Sequence, residues 1–126
     1  MQIPIELTLP ATTEWMLVIR LTATGVLARM GVAVDRMDDL KMAVEEACRC
    51  LMEQSTEPQK LHLRFECCDR VLLMIFHALD GHPSDQSPNE QEMAITTCIL
   101  NTMADEVKLE TLDGGIESIA MKVKVS

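Results

Sequence analysis

Two apolar runs joined by a short polar turn place the strongest constraint on the fold of this chain. Apolar and polar side chains alternate along residues 61–68, whereas residues 71–78 are apolar at almost every position. Alternation is typical of a strand with one buried face, and a continuous apolar run is typical of a central strand. The polar pair Asp69 and Arg70 between the runs predicts a tight turn. The sequence therefore predicts a layered fold built around a sheet.

Further segments with strand or helix periodicity lie on both sides of these runs. Residues 3–9 alternate as a half-buried strand, which Pro10 is expected to close. In the first helical segment, Trp15 and Val18 are among the apolar positions, and Ile99 is among those of the last. The other predicted elements are a helix at 13–30 that Gly31 terminates, a helix at 35–54, a loop at 79–91, a helix ending near Ala104, a strand at 107–111, a turn at 113–115 whose glycines supply positive φ, and a strand at 119–125.

The predicted element order is β-α-α-β-β-α-β-β. Five strands and three helices in this order favour a two-layer α/β (α+β) sandwich, with the three helices on one face of a mixed sheet. A length of 126 residues fits a single domain spanning residues 1–126, with enough apolar surface to bury a core. The sequence shows no repeat, no linker and no second domain.

The charge and the cysteine content exclude several classes of function. A net charge of −9 disfavours nucleic acid and anionic membrane as partners, because both attract lysine and arginine. It suits a basic protein partner, and it equally suits plain solubility. Five cysteines without a CxxC pair favour reduced thiols in the cytoplasm, with no metal site. The sequence contains neither a signal peptide nor an apolar run long enough to span a membrane.

Three segments, at 18–31, 39–50 and 103–107, occur in an order and spacing that resemble the GHKL ATPase domain of histidine kinases and gyrases. Within that family the chain is similar to the bacterial anti-sigma factor serine kinases. The resemblance covers nearly the whole chain and implies a Bergerat-type sheet covered by three helices. It also implies a nucleotide site built from three short sequence boxes.

In that family the second helix carries Glu-Ala-x-x-Asn, whose glutamate polarises the attacking hydroxyl or water and whose asparagine binds Mg²⁺. The resemblance places Glu46 at the general-base position and Cys50 at the position of the asparagine. A thiol is a soft ligand, and Mg²⁺ requires hard oxygen ligands. The other interpretation of Glu46 is an ordinary solvated helix carboxylate.

The family's other two boxes also depart from their patterns here. The adenine box is Asp-x-Gly, but Asp80 and Gly81 are adjacent, so they form either an adenine contact on a shifted strand or a plain turn. The phosphate box is Gly-x-Gly-Leu at the start of the last helix, and its two glycine positions fall on Ala94 and Thr96. Neither residue gives the backbone the freedom of a glycine.

These departures predict a degenerate regulatory domain that binds proteins in a partner-switching pathway, without efficient ATP–Mg²⁺ hydrolysis or transfer. The resemblance implies a sigma factor or an anti-anti-sigma protein as partner, and a homodimer. It places partner contacts at Arg20 and Thr24, although Arg20 can also be read as a solvated helix residue. The alternative is an active serine kinase that phosphorylates an anti-anti-sigma protein, with Glu46 as base and Asp80 on adenine. ATP and Mg²⁺ belong to that alternative alone.

Overall fold

The computed structural model describes residues 4–85 and 89–125, and the predicted strand residue Ile3 and loop residues 86–88 lie outside this part. The element order β-α-α-β-β-α-β-β is confirmed. The elements are β1 (Ile5–Pro10), a short 3₁₀ turn (Thr13–Trp15), α1 (Met16–Arg29), α2 (Val34–Met52), β2 (Lys60–Cys68), β3 (Val71–Leu79), α3 (Glu90–Asn101), β4 (Glu106–Leu112) and β5 (Gly115–Lys124).

The strands form one sheet in the order β1-β2-β3-β5-β4, with β3 at its centre as the apolar run predicted. Every neighbouring pair of strands is antiparallel, whereas the sequence predicted a mixed sheet. The reason is the place of β5. It lies between β3 and β4, which run in the same direction and would otherwise be parallel neighbours.

The two tight hairpin turns rely on left-handed backbone conformations. Asp69 and Arg70 have φ values of 51° and 63°, and Asp113 and Gly114 have 53° and 85°. Successive positive φ angles are typical of the turns that match the twist of a β-hairpin. The sequence predicted positive φ at both glycines of the second turn, and this is wrong for Gly115. Gly115 begins β5, and a Cβ there would lie 2.7 Å from Thr56 Cγ2.

One face of the sheet is covered by the helices and forms the core. Alternate side chains point toward that face, as the period of a strand requires. The fully or almost fully buried ones are Leu61, Leu63 and Phe65 on β2, Leu72, Met74 and Phe76 on β3, and Ile119, Met121 and Val123 on β5. α2 packs on β2, β3 and β5, and α1 packs against α2. The two-layer architecture is thus confirmed.

The helix boundaries differ from the predicted ones by a few residues. α2 begins at Val34, one residue before the predicted start, and α3 ends at Asn101 rather than near Ala104. Gly31 does terminate the first helix, because it adopts φ 78° and donates its N–H to the Ala28 carbonyl. No helix within the described residues has the length and apolar character that crossing a membrane requires.

Candidate functional site

A cavity of about 730 Å³ separates α2 from α3 and is closed at one end by the start of β5. Residues on one face of α2, at positions 46, 49, 50 and 53, form one wall. Residues on one face of α3, at positions 92, 95, 96 and 99, form the opposite wall. Both sets follow the i, i+3, i+4, i+7 spacing of a single helix face.

The floor of the cavity is fixed by the side chain of Gln54. Its amide nitrogen donates to the carbonyls of Leu51 and Ile116, at 2.9 Å each, and its amide oxygen accepts from the Ile116 N–H at 2.6 Å. These bonds fasten the end of α2 to β5. They also satisfy backbone groups that would otherwise be costly to leave unpaired away from water.

The α2 wall carries a row of charges along its length. One Arg49 nitrogen lies 2.5 Å from Glu46 Oε1, and another lies 3.0 Å from Glu53 Oε2. The hydrogen bond that the Arg49 guanidinium donates to Glu46 raises the pKa of Arg49, which therefore remains charged. Glu46 therefore faces the cavity as one member of an ion pair.

Cys50 lies one turn from Glu46 on the same wall and is half-buried. Burial raises the pKa of the Cys50 thiol, although a hydrogen bond with Thr96 acts in the opposite direction. The neutral thiol is a poor ligand for Mg²⁺, which requires oxygen. Glu46, Cys50 and Thr96 all line this one cavity.

The α3 wall begins with an N-terminus that is already capped. The Asn89 side-chain oxygen accepts from the backbone N–H groups of Gln91 and Glu92, at 2.9 and 3.1 Å. Backbone N–H groups at a helix N-terminus are the donors with which a phosphate would be bound. Ala94, the other predicted position of the phosphate box, is exposed and does not line the cavity.

Asp80 and Gly81 lie apart from this cavity, beside a smaller one of about 170 Å³. Asp80 adopts φ 57° immediately after β3 and forms an ion pair with Lys60 at 3.4 Å. Gly81 packs so closely on the Thr56 carbonyl that a Cβ would lie 2.8 Å from its oxygen. This is the geometry of a turn held against a neighbouring loop.

The lining of the larger cavity carries more negative than positive charge. Its walls carry three carboxylates, from Glu46, Glu53 and Glu92, against the single guanidinium of Arg49. A triphosphate would meet this negative charge, and no lysine or arginine lies between Arg70 and Lys108 in the sequence to offset it. Among the described residues there is also no cluster of three side chains suited to a metal ion.

A second exposed surface, which is largely apolar, is the outer side of α1. Leu17, Val18 and Leu21 are exposed there, and Gly25 follows one turn further on. Arg20 forms an ion pair with Glu45 of α2. The Thr24 hydroxyl donates to the Arg20 carbonyl at 2.7 Å, so Thr24 presents mainly its methyl group.

Two residues that line the cavity, Arg49 and Asn89, were not predicted from the sequence. Arg49 stands three residues after Glu46 and four before Glu53, which is the spacing of helix ion pairs. Asn89 precedes an acidic first turn that includes Glu92, which is the pattern of an N-cap. Both patterns can be read from the sequence. The sequence does not show, however, which helix faces each of them across the cavity.

Known proteins with similar sequences include serine-protein kinases named RsbW. The serine-protein kinase RsbW of Bacillus subtilis (strain 168) is 29% identical over 127 aligned residues, which cover 87% of this chain and 79% of that protein. The RsbW of Bacillus mycoides is 45% identical over 51 residues, which cover 40% of this chain and 32% of that protein. No protein-family model matches the chain.

The fold also has a counterpart among solved structures. The RsbU and RsbW domains of Rv1364c from Mycobacterium tuberculosis superimpose with a TM-score of 0.75 and 13% identity. The match covers 98% of this chain but 33% of that one, so this chain spans about a third of the length of that protein. At this identity the likeness establishes the fold.

The chain shares its fold with the RsbW domain of that structure. In sequence it is similar to the serine-protein kinases RsbW of Bacillus species.

Proposed function

We propose that this chain is a regulatory binding domain of a partner-switching pathway, which acts by binding a protein and does not transfer phosphoryl groups efficiently. The partner is a sigma factor or an anti-anti-sigma protein, and the domain forms a homodimer. The observation that carries the proposal is the apolar outer side of α1, where Leu17, Val18 and Leu21 face solvent. A contiguous apolar helix face is favourable to cover, because its exposure to water costs free energy.

Two features near this face support a protein partner. The hydroxyls of Thr22 and Thr24 both donate to carbonyls of their own helix, so covering them leaves no side-chain donor unpaired. The Arg20 side chain, paired with Glu45, is still about half exposed and can add a carboxylate of a partner to that pair. The surface thus combines apolar area with one directional charge.

The absence of phosphoryl transfer is supported by the cavity. Transfer depends on positioning the phosphates and on stabilising their charge. Here a thiol stands where the family has its metal-binding amide, the α3 N-terminus is capped by Asn89, and the remaining charge is negative. The competing function is an active serine kinase. The position of Glu46 in the cavity and the similarity to serine-protein kinases favour it.

A titration with ATP–Mg²⁺ tests the proposal against the kinase. We expect calorimetry to detect no binding below millimolar ATP for the unaltered chain. A micromolar dissociation constant that depends on Mg²⁺ would establish the kinase alternative instead. The Cys50→Asn variant restores the family's ligand, so an increase in Mg²⁺-dependent binding confirms the position assigned to Cys50.

The partner contact is tested by exchanging the charges of one ion pair. Arg20→Glu is expected to abolish binding to a sigma factor in a pull-down, because it places two carboxylates together and removes the exposed cation. The double variant Arg20→Glu with Glu45→Arg restores the intrachain pair. If the double variant recovers binding, then Arg20 acts only within the chain, and the proposed partner contact is wrong.

A further inference from the structure

The sheet has two edge strands, β1 and β4, and among the described residues each is paired on one side only. The backbone N–H and C=O groups on the other side of such a strand are free to pair with a further strand. In an antiparallel ladder, successive residues direct these groups alternately to the two sides. One hydrogen bond just beyond each strand pair therefore shows which residues of the edge strand face outward.

The edge at β1 lacks part of its donors. The Ala11 N–H donates to the Gln59 carbonyl at 3.0 Å, so alternate residues counted back from Ala11 bond to β2. The residues between them, Glu6, Thr8 and Pro10, direct their backbone groups away from the sheet. Proline has no N–H, and a proline on an edge strand hinders the addition of another strand.

The edge at β4 has no such interruption. The Val125 N–H donates to the Arg70 carbonyl at 2.8 Å, so alternate residues counted back along β5 bond to β3, and the residues between them bond to β4. The β4 residues that receive these bonds are the charged ones, Glu106, Lys108 and Glu110. Val107 and Leu109 therefore direct their N–H and C=O groups outward, and no proline lies between residues 106 and 112.

The charged side chains of β4 alternate in sign along the face of the sheet that the helices leave uncovered. Lys108 Nζ lies 3.2 Å from Glu110 Oε1. Glu106 Oε2 lies 3.3 Å from Lys122 Nζ of β5. The side chains of Glu106 and Lys108 remain 70% and 75% exposed, so each can also pair with a charge on a further strand.

The order negative, positive, negative selects the occupant of this edge. A strand with lysine, glutamate and lysine at successive outer positions places an opposite charge beside each β4 charge. This pattern reads the same in both directions, so it matches in parallel and in antiparallel pairing. A second copy of β4 aligned on the same residues would place Lys108 beside Lys108 and glutamate beside glutamate, which is unfavourable. The charges therefore favour a segment of a different protein.

The other face of an added strand would lie on the helix side of the sheet. Val107 and Leu109 are half-buried there, and α3 contacts β4. The side of α3 that lines the cavity faces α2. The opposite side of α3 carries the exposed residues Ala94, Cys98 and Asn101. Apolar side chains on the inner face of the added strand would continue the row of Val107 and Leu109 beside α3.

We propose that the outer edge of β4 binds an extended segment of a partner protein, which adds to the sheet as a sixth strand and carries the pattern Lys-x-Glu-x-Lys with apolar residues at x. Val107 and Leu109 each supply one N–H and one C=O to this segment, and the charges set its register. The site is separate from the α1 surface, so binding at one does not require binding at the other.

The probe is the peptide acetyl-Thr-Lys-Val-Glu-Val-Lys-Thr-amide, titrated into the whole chain and followed by NMR. We expect saturable binding, with the largest shifts in β4. N-methylation of both valines should abolish binding, because the valine N–H groups are those that meet β4, whereas N-methylation of both lysines should leave it nearly unchanged. Equal effects of the two methylated peptides, or no saturable binding of the unmethylated one, would overturn the proposal.

Matched proline variants test the edge itself. Leu109→Pro removes an outward N–H without removing a bond between β4 and β5, so it should weaken peptide binding roughly tenfold or more. Thr8→Pro makes the same change at the outer edge of β1 and should have no effect. If Leu109→Pro instead dissociates an oligomer of the chain and the peptide does not bind, the edge pairs with a second copy and the proposal is wrong.

A charge exchange tests the register and does not depend on a proline. The Lys108→Glu chain should prefer acetyl-Thr-Lys-Val-Lys-Val-Lys-Thr-amide, whereas the unaltered chain should prefer the peptide with the central glutamate. The same order of preference in both chains would contradict the pairing assigned to Lys108.

Discussion

Cys48 is the residue whose chemistry is most altered by folding. Its thiol lies on the buried side of α2, and this burial raises the pKa of Cys48 from 9.0 to about 12, with the nearby Glu45 charge acting in the same direction. Desolvation disfavours the thiolate, so the folded chain keeps the thiol neutral where the unfolded chain ionises it. The consequence is a stability that depends on alkaline pH.

The pH dependence has a definite sign. Below pH 9 both states keep the proton, and the stability due to the neutral thiol is fully present. As pH rises from 9 toward 12, the unfolded state releases the proton first, so the free energy of unfolding falls by up to about 1.4 kcal/mol per pH unit. Denaturant unfolding between pH 8 and pH 10.5 measures this slope. Cys48→Ala should flatten it, whereas Cys68→Ala, at an exposed thiol, should not; equal slopes would contradict the buried-thiol origin.

At the scale of single residues, the candidate positions for the nucleotide site all came from the resemblance to the family's three boxes. Glu46, Cys50 and Thr96 line the cavity between α2 and α3. Ala94 and Asp80 lie away from that cavity. The ion pair of Glu46 with Arg49 follows from their i, i+3 spacing within one helix. That a second helix faces this pair depends on tertiary packing and could not be predicted from the spacing.

At the scale of elements, α1 is the helix whose orientation was hardest to predict. Trp15 and Val18 were taken as positions of its apolar side, but both are exposed, while Ile19, Ala23 and Leu27 are fully buried. A helix that is apolar around most of its circumference has no polar face to indicate which side meets the core. α2 has a distinct polar face, and its buried residues, among them Leu40, Val44 and Leu51, follow helical spacing along the opposite side.

Gly25 within α1 permits a test of what this helix is for. A Cβ at Gly25 would meet no atom of the described residues within 4 Å. Gly25→Ala should therefore raise the free energy of unfolding by about 1 kcal/mol, because alanine loses less backbone entropy in a helix. Thermal and denaturant unfolding measure the gain.

The same variant should weaken association if another molecule packs closely at this glycine. Ala28→Gly, on the same exposed side, provides the comparison, since it lowers helix stability without adding a side chain. A stabilised Gly25→Ala chain with unchanged association would mean that the partner surface does not include Gly25.

At the scale of the whole molecule, the layers were predictable but the strand neighbours were not. Which segments form strands follows from local alternation, whereas which strands pair depends on contacts between residues far apart in sequence. The insertion of β5 between β3 and β4 is such a contact, and it makes the sheet antiparallel throughout. The helix-covered face then fixes where the cavity and the α1 surface lie.

The oligomeric state is the property of the whole molecule that the α1 surface should control. Leu21 is 62% exposed at the centre of that surface, and Leu112 on the edge strand β4 is 56% exposed. Leu21→Glu places a charge where a partner would have to desolvate it, so it should convert the proposed homodimer to a monomer. Leu112→Glu adds the same charge to the chain at nearly the same exposure, so it should leave the dimer intact. Sedimentation equilibrium distinguishes these outcomes: a monomeric unaltered chain, or equal dissociation of both variants, would contradict dimerisation through α1 and leave the surface to a different protein partner.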